Sequence, residues 1–142
     1  MRLAAPIPGS YEDPQAWAAA VKAKGYRAAY LPVAEAAGRP EDFARAAREA
    51  DIVIAEVGAW SNPLSPDLDE RRKARDLCRE RLALADRAGA RCCVNISGSR
   101  GRKWDGPDPL NLTDETFDMV VEMVRQVIDA VQPTRTFYTL ET

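Results

Sequence analysis

The chain has 142 residues, 46% apolar and 30% charged, which is enough for one soluble domain with its own core. Twenty basic side chains against twenty-two acidic ones leave a formal charge of −2, so there is no electrostatic footprint for nucleic acid or for an anionic membrane. The complete absence of histidine excludes Ser-His and Cys-His nucleophile pairs, histidine general bases and histidine-containing metal sites built from these residues alone.

The N-terminal MRLAAPIPGS carries a short apolar run broken by Pro6 and Pro8. It lacks the uninterrupted core of a signal peptide and the roughly twenty apolar residues of a spanning helix, so the expected compartment is the cytoplasm. Three cysteines without CxxC spacing make neither a disulfide framework nor a zinc site. Cys92 and Cys93 are neighbours on an expected strand and should point to opposite faces.

The first expected strand is Arg2 to Ile7. Asp13 offers an N-cap and Pro14 a first helical position for a helix over Gln15 to Lys24, which Gly25 ends. A second strand, Tyr26 to Leu31, runs into Pro32, and a short Ala-rich helix follows from Pro40 to Ala50 with Phe43 as its one large anchor. Asp51 to Val57 is the clearest strand. Period two puts Glu56 on the face of Ile52 and Ile54, directed into the sheet interior near the strand's C-terminal end.

The loop GAWSNPLSP leads to the longest expected helix, Pro66 to Ala88, with Ser65 as its cap and an apolar stripe of Leu77, Leu84 and Ala88 joined by Cys78, Leu82 and Ala85. Arg91 to Ile96 is the fourth strand, with Cys93 and Asn95 on one face. SGSRGRKWDGPDPLN then reads as an irregular loop. Thr113 caps a helix in which Phe117, Val120, Val121, Val124, Ile128 and Val131 keep a helical period. Thr136 to Leu140 is a fifth strand, ending at Glu141 and Thr142. Trp17, Phe43 and Phe117 read as core aromatics, and ERRKARDLCRER as a solvated face of interleaved charges.

Five strands and four helices in strict alternation predict an α/β domain with a parallel sheet over residues 1–142. Two architectures fit that order. One is a doubly wound open sheet; the other is part of an eight-stranded β/α barrel, which takes ~250 residues when whole. A last strand with no helix after it sits poorly in a complete open sheet, whose two faces are both covered.

The stretches EVGAWSNPLSPD, ERLALADRAGARCCVNISGSRG, WDGPDPLNLTDETF and PTRTFYTLET resemble successive segments of the sugar phosphate isomerase/epimerase group, whose members have xylose-isomerase-like TIM barrels. The resemblance runs along essentially the whole chain and is strongest from Asp51 onward. It implies the first half of such a barrel. It also implies a divalent metal, most often manganese, held by a Glu after the fifth strand and by Asp, His and Glu from later strands. Glu141 matches the first ligand, with a further role as acid or base. The other ligands lie outside this chain, so the resemblance implies that these residues alone are catalytically incomplete.

The activity implied is metal-assisted proton transfer beside a sugar carbonyl, on a sugar or sugar phosphate. Glu56, Asn95 and the Ser97–Trp104 loop are candidates to shape the sugar pocket. In that loop Arg100 and backbone amides offer anion or hydroxyl contacts and Trp104 an apolar platform, while Trp60 offers a wall from the previous loop. Each has a plainer reading: Glu56 as an ion-pair partner, Asn95 as a pin for its loop, the cations as solvated charge, Trp60 as loop packing and Glu141 as a frayed terminal carboxylate. GxxxxGK[ST] is absent, so no nucleotide P-loop is expected. The alternatives to an enzyme half are a non-catalytic half-barrel that forms a homodimer through exposed sheet edges or needs a partner chain, and an open-sheet domain binding a small ligand.

Overall fold

The computed structural model describes residues 1–142. Five strands, β1 (Ala4–Ala5), β2 (Ala28–Tyr30), β3 (Val53–Gly58), β4 (Cys92–Ile96) and β5 (Phe137–Glu141), alternate with helices α1 (Pro14–Ala23), α2 (Val33–Ala36), α3 (Pro40–Glu49), α4 (Leu68–Ala88) and α5 (Asp114–Val131). All neighbouring strands pair in parallel, in the spatial order β1-β2-β3-β4-β5. That order decides between the two architectures. A doubly wound sheet reverses direction at a switch point, whereas here every crossover steps the same way. With crossovers of one hand, all helices fall on one face. The doubly wound alternative is therefore excluded, and the chain is an arc of parallel β/α units.

The helix-covered face holds the core. Trp17 of α1 meets Phe43 of α3 edge-to-face at 5.6 Å between ring centroids, and both are fully buried beside Val21, Leu82, Met123 and Val127. Burying each such side chain stabilises the fold by about 1.5–3 kcal/mol. The capping residues act as the sequence implies at two helices: Asp13 accepts the N–H of Gln15, and Thr113 that of Thr116.

Several expected boundaries shift. The helix α4 is capped by Asp67, which accepts the N–H groups of Asp69 and Glu70, while the expected cap Ser65 donates to Glu70 and accepts the N–H of Asp67 just before it. The strand β1 shrinks to two residues because Pro6 has no N–H for the ladder. The one-turn helix α2 was not expected, nor was the 3-10 turn at Pro109–Leu112 inside the loop read as irregular.

In α5 the buried apolar positions are Met123 and Val127, which the expected stripe omitted. Phe117, expected in the core, is 68% exposed. The helix has apolar residues around more of its circumference than α4 and β5 can cover. No helix is long and apolar enough to cross a membrane.

Candidate functional site

The uncovered face and the strand C-termini bring the candidate residues together, and a single irregularity decides how. Ala29 stands opposite Ile54 and Tyr30 opposite Glu56, so Ala55 is an extra residue in β3. A bulge of this kind inverts the side-chain alternation beyond it. Ile52 and Ile54 pack under the helices, as do Val57 and Ala59. Glu56 and Gly58 thus face the other way. Glu56 does reach the open face near the strand's end, but it does not share a face with Ile52 and Ile54.

On β4, Cys93 joins the helix-side core, so Cys92, Val94 and Ile96 line the open face. Cys92 is opposite Glu56, and Ile96 is opposite Glu141. Phe137, Thr139 and Glu141 of β5 continue that surface. Burial pushes the Glu56 carboxyl above the ordinary glutamate range, and the negative charge of Glu141 adds to the rise. Glu141 stands at the C-terminal end of the open face, and Glu56, level with the first residues of β4 and β5, lies lower on the same face but within reach of its charge.

Asn95 is turned the opposite way, and the sugar-contact expectation for it is corrected. It is completely buried on the helix side. Its Oδ1 accepts the Ser61 N–H at 3.0 Å, and its Nδ2 donates to Cys78 Sγ at 3.2 Å and to Ser61 Oγ at 3.4 Å. It pins the loop after β3 to α4. The Cys93 thiol beside it is pushed up to about 12 by burial, with further contributions from its thiol neighbours.

Trp60, 46% exposed, lies over the backbone of Gly58, where a Cβ would come within 2.3 Å of its indole nitrogen. That close approach is possible only at glycine. Arg100 points away from open space. Its guanidinium donates to Thr116 Oγ1 at 3.2 Å and lies 3.7 Å from the Glu115 carboxylate, packed on the first turn of α5. Trp104 is 43% exposed at the outside of its loop, and Lys103 sits 3.4 Å from Asp105.

The loop after β4 is wired rather than loose. Asn62 is buried and clasps it: its Oδ1 accepts the N–H groups of Leu64 and Ser99, and its Nδ2 donates to Ser99 O. Ser99 Oγ donates to Gly106 O and accepts from Gly101 N and Asn111 Nδ2, while Asn111 Oδ1 accepts from Arg100 N. Gly98 takes φ +102°, and a Cβ there would strike Asn62 Oδ1 at 2.9 Å. Neither Asn62 nor Asn111 was picked out from the sequence. The visible signal is the Asn-Pro pair in SNPLSP, a turn dipeptide whose amide can replace backbone partners.

Between this loop, the start of α5 and the ends of β4 and β5 lies an open cleft of about 750 Å³. Glu141 stands at its edge, and its walls include Ser97, Asp105, Asn111, Asp114 and Phe117. No group of three or more His, Cys, Asp or Glu side chains is placed to hold a metal ion. Glu56 and Glu141 are two oxygen donors where a manganese-type octahedral shell takes about six. The residues present do not fit that metal by themselves.

No family model matches the chain, and no curated protein matches it significantly. Solved structures do. A provisionally assigned xylose isomerase from Rhodospirillum rubrum superposes with a TM-score of 0.66 at 14% identity, over 93% of this chain and 50% of that one. A D-psicose 3-epimerase from Clostridium cellulolyticum, solved with D-tagatose, gives 0.68 at 17% identity, over 100% of this chain and 52% of that one. The chain spans about half the length of these structures. At such identities the likeness establishes the fold alone, that of half a parallel β/α barrel.

Proposed function

We propose that the open face and its C-terminal rim form the sugar-handling half of a sugar isomerase or epimerase-like barrel. The carrying observation is the Glu56–Glu141 pair: two carboxylates on the one sheet face that helices leave open, with the Glu56 carboxyl raised by burial and by the charge of Glu141. Support comes from the principle that β/α barrels place their chemistry at strand C-termini, and from the fold shared with a D-psicose 3-epimerase.

The chemistry such a pair suits is proton transfer beside a carbonyl. One ionised carboxylate takes the proton from the carbon next to the sugar C=O. The C–H electrons form the C=C of an enediolate and the carbonyl oxygen takes up the charge. A protonated carboxyl then returns a proton, either to the same carbon from the other side, restoring the original C=O, or to the former carbonyl carbon, in which case the proton of the adjacent hydroxyl passes to the old carbonyl oxygen and the C=O forms at the neighbouring carbon. Burial and the charge of Glu141 raise the Glu56 carboxyl and so favour its protonated form relative to an ordinary glutamate. No step is assigned to a metal.

The test is amide chemical-shift mapping with millimolar D-tagatose. The reading requires shifts at the ends of β3, β4 and β5 that weaken in Glu141→Gln. Shifts confined to the helices, or none, would reject it. A second reading, a half-barrel that forms a homodimer through its sheet edges, is favoured by the β5 edge. The Phe137 N–H donates to Arg91 O and the Ser97 N–H donates to Glu141 O across the β4–β5 seam, so alternation turns the N–H and C=O groups of Tyr138 and Leu140 outward without a strand partner. Light scattering tests it: a dimer supports edge pairing, and a monomer at all concentrations rejects it.

A further inference from the structure

We infer that α4 carries a binding site for a tetrahedral oxyanion of the phosphate class, built on Arg71, Arg75 and Arg79. The site lies away from the open face of the sheet and does not depend on the sugar reading.

The run ERRKARDLCRER reads as interleaved charge, but the helix sorts it. A spacing of four puts Arg71, Arg75 and Arg79 in one row, and all three are partly buried. With Arg72 they line a shallow depression of about 260 Å³, in which Asp76 is the one acidic wall residue. Helices α3 and α5 both pack against α4, so this surface belongs to the middle of the arc.

Ion pairing leaves positive charge over. Arg72 is paired with Asp69 at 3.0 Å and Arg79 with Asp76 at 2.9 Å. Arg71 and Arg75 have no ion-pair partner. Each is held instead through its Nε: Arg71 donates to Ser65 O at 2.8 Å and Arg75 to Pro63 O at 3.3 Å. Those carbonyls belong to the loop after β3, which Asn62 and Asn95 already pin. The two guanidiniums are therefore oriented, while their terminal N–H groups keep no protein acceptor. Arg79 adds a buried Nε that is also unbonded.

Like charges four residues apart on a helix repel one another. Burial, followed by the charges of Arg71 and Arg79, pushes the Arg75 guanidinium below the usual arginine range, and the charge of Glu122 on α5 opposes that shift. The fold thus gathers cations, fixes their direction and leaves their donor forks open. A phosphate dianion suits this arrangement. It has oxygens for two forks at once, in charge-assisted hydrogen bonds, and enough charge to offset the repulsion. A carboxylate brings fewer oxygens and a single charge.

The experiment titrates the full chain with sodium phosphate at neutral pH and follows backbone amide and arginine Nε–H shifts, with sodium chloride at matched ionic strength as the baseline. Phosphate should shift the Nε–H signals of Arg71 and Arg75 and the amides from Leu68 to Arg79, and the shifts should saturate. Arg75→Gln should weaken binding at least about fivefold, the effect of one unit charge near contact even in bulk water. Asp76→Asn, at an exposed position, should strengthen binding about severalfold, a gain that partial unfolding does not produce. A second titration with glycerol phosphate separates the sources: saturation by the ester assigns the site to phosphate esters, and saturation by inorganic phosphate alone assigns it to the free ion. Both results support the inference. Silence from both ligands, the same shifts with chloride alone, or unchanged affinity in either variant overturns it.

Discussion

The two faces of this sheet are built from the same strands but meet different surroundings. On one, alternate residues of β2 to β5 enter a single cluster with Trp17, Phe43, Leu82 and Met123, almost without exposure. On the other, Tyr30 and Phe137 stand 39% and 76% exposed, and charged side chains sit at the strand ends. The first face holds the arc together. The second is free to carry carboxylates, because no helix packs there to demand apolar volume. Chemistry gathers where packing imposes least.

The largest effects should lie on the covered face. Phe43→Ala, which empties a fully buried site against Trp17, should cost about 3–5 kcal/mol in urea unfolding. Phe137→Ala on the open face should change stability by less than about 1 kcal/mol. Equal losses would break the distinction between the faces.

Next comes the seam that ties the last strand to the helix layer. Asp86 of α4 accepts the N–H groups of Thr134, Arg135 and Thr136. Burial opposes its charge, but those three donors hold its carboxyl below the usual aspartate range. Asp86→Ala should lower stability by about 1 kcal/mol, since most of the site is open to water. A lowered carboxyl stabilises the fold above the unfolded-state value and loses that contribution as pH falls through the folded one.

Glu56 has the opposite sign. Its raised carboxyl means the fold tolerates the protonated form better. The relative stability is full below the ordinary glutamate range and declines as pH rises through the folded value. Glu56→Gln should flatten that decline and match or exceed the parent midpoint at neutral pH. A variant that keeps the parent's slope would place Glu56 in water rather than in a partly buried position on the open face. The smallest effect is optical. In Gly58→Ala the new methyl displaces the Trp60 indole, which should shift tryptophan emission with little change in stability because Trp60 has open space to move into.

Much of the helix layer was legible in the sequence because period and caps are local. Pro14 with Asp13, Gly89 after the long helix, and Thr113 before the last one all sit where their backbone chemistry requires. Strand order was not legible, since alternation of strands and helices fixes their parallel sense but not the side on which each strand is added. Period two gives Glu56 the wrong neighbours on its strand. Extrapolating period two fails across the bulge at Ala55, which leaves no mark in composition. Asn95 was assigned the right strand face, but which face the helices would cover depended on that same topology. Phe117 misled because a helix with excess apolar residues does not announce which of them its neighbours cover. Asn62 and Asn111 act through folded loop geometry, and only the turn dipeptide at Asn62 hints at it.

Adjacent cysteines provide the most direct test that one face is covered and the other open. Cys92 lies on the open face opposite Glu56, while Cys93 and Cys78 are buried among the helices. Under native conditions a small thiol reagent, followed by peptide mapping, should modify Cys92 and leave Cys93 and Cys78 protected until the protein unfolds. Protection of Cys92 equal to that of Cys93 in the monomer, or preferential modification of Cys93, would contradict the one-sided arc and the site built on it.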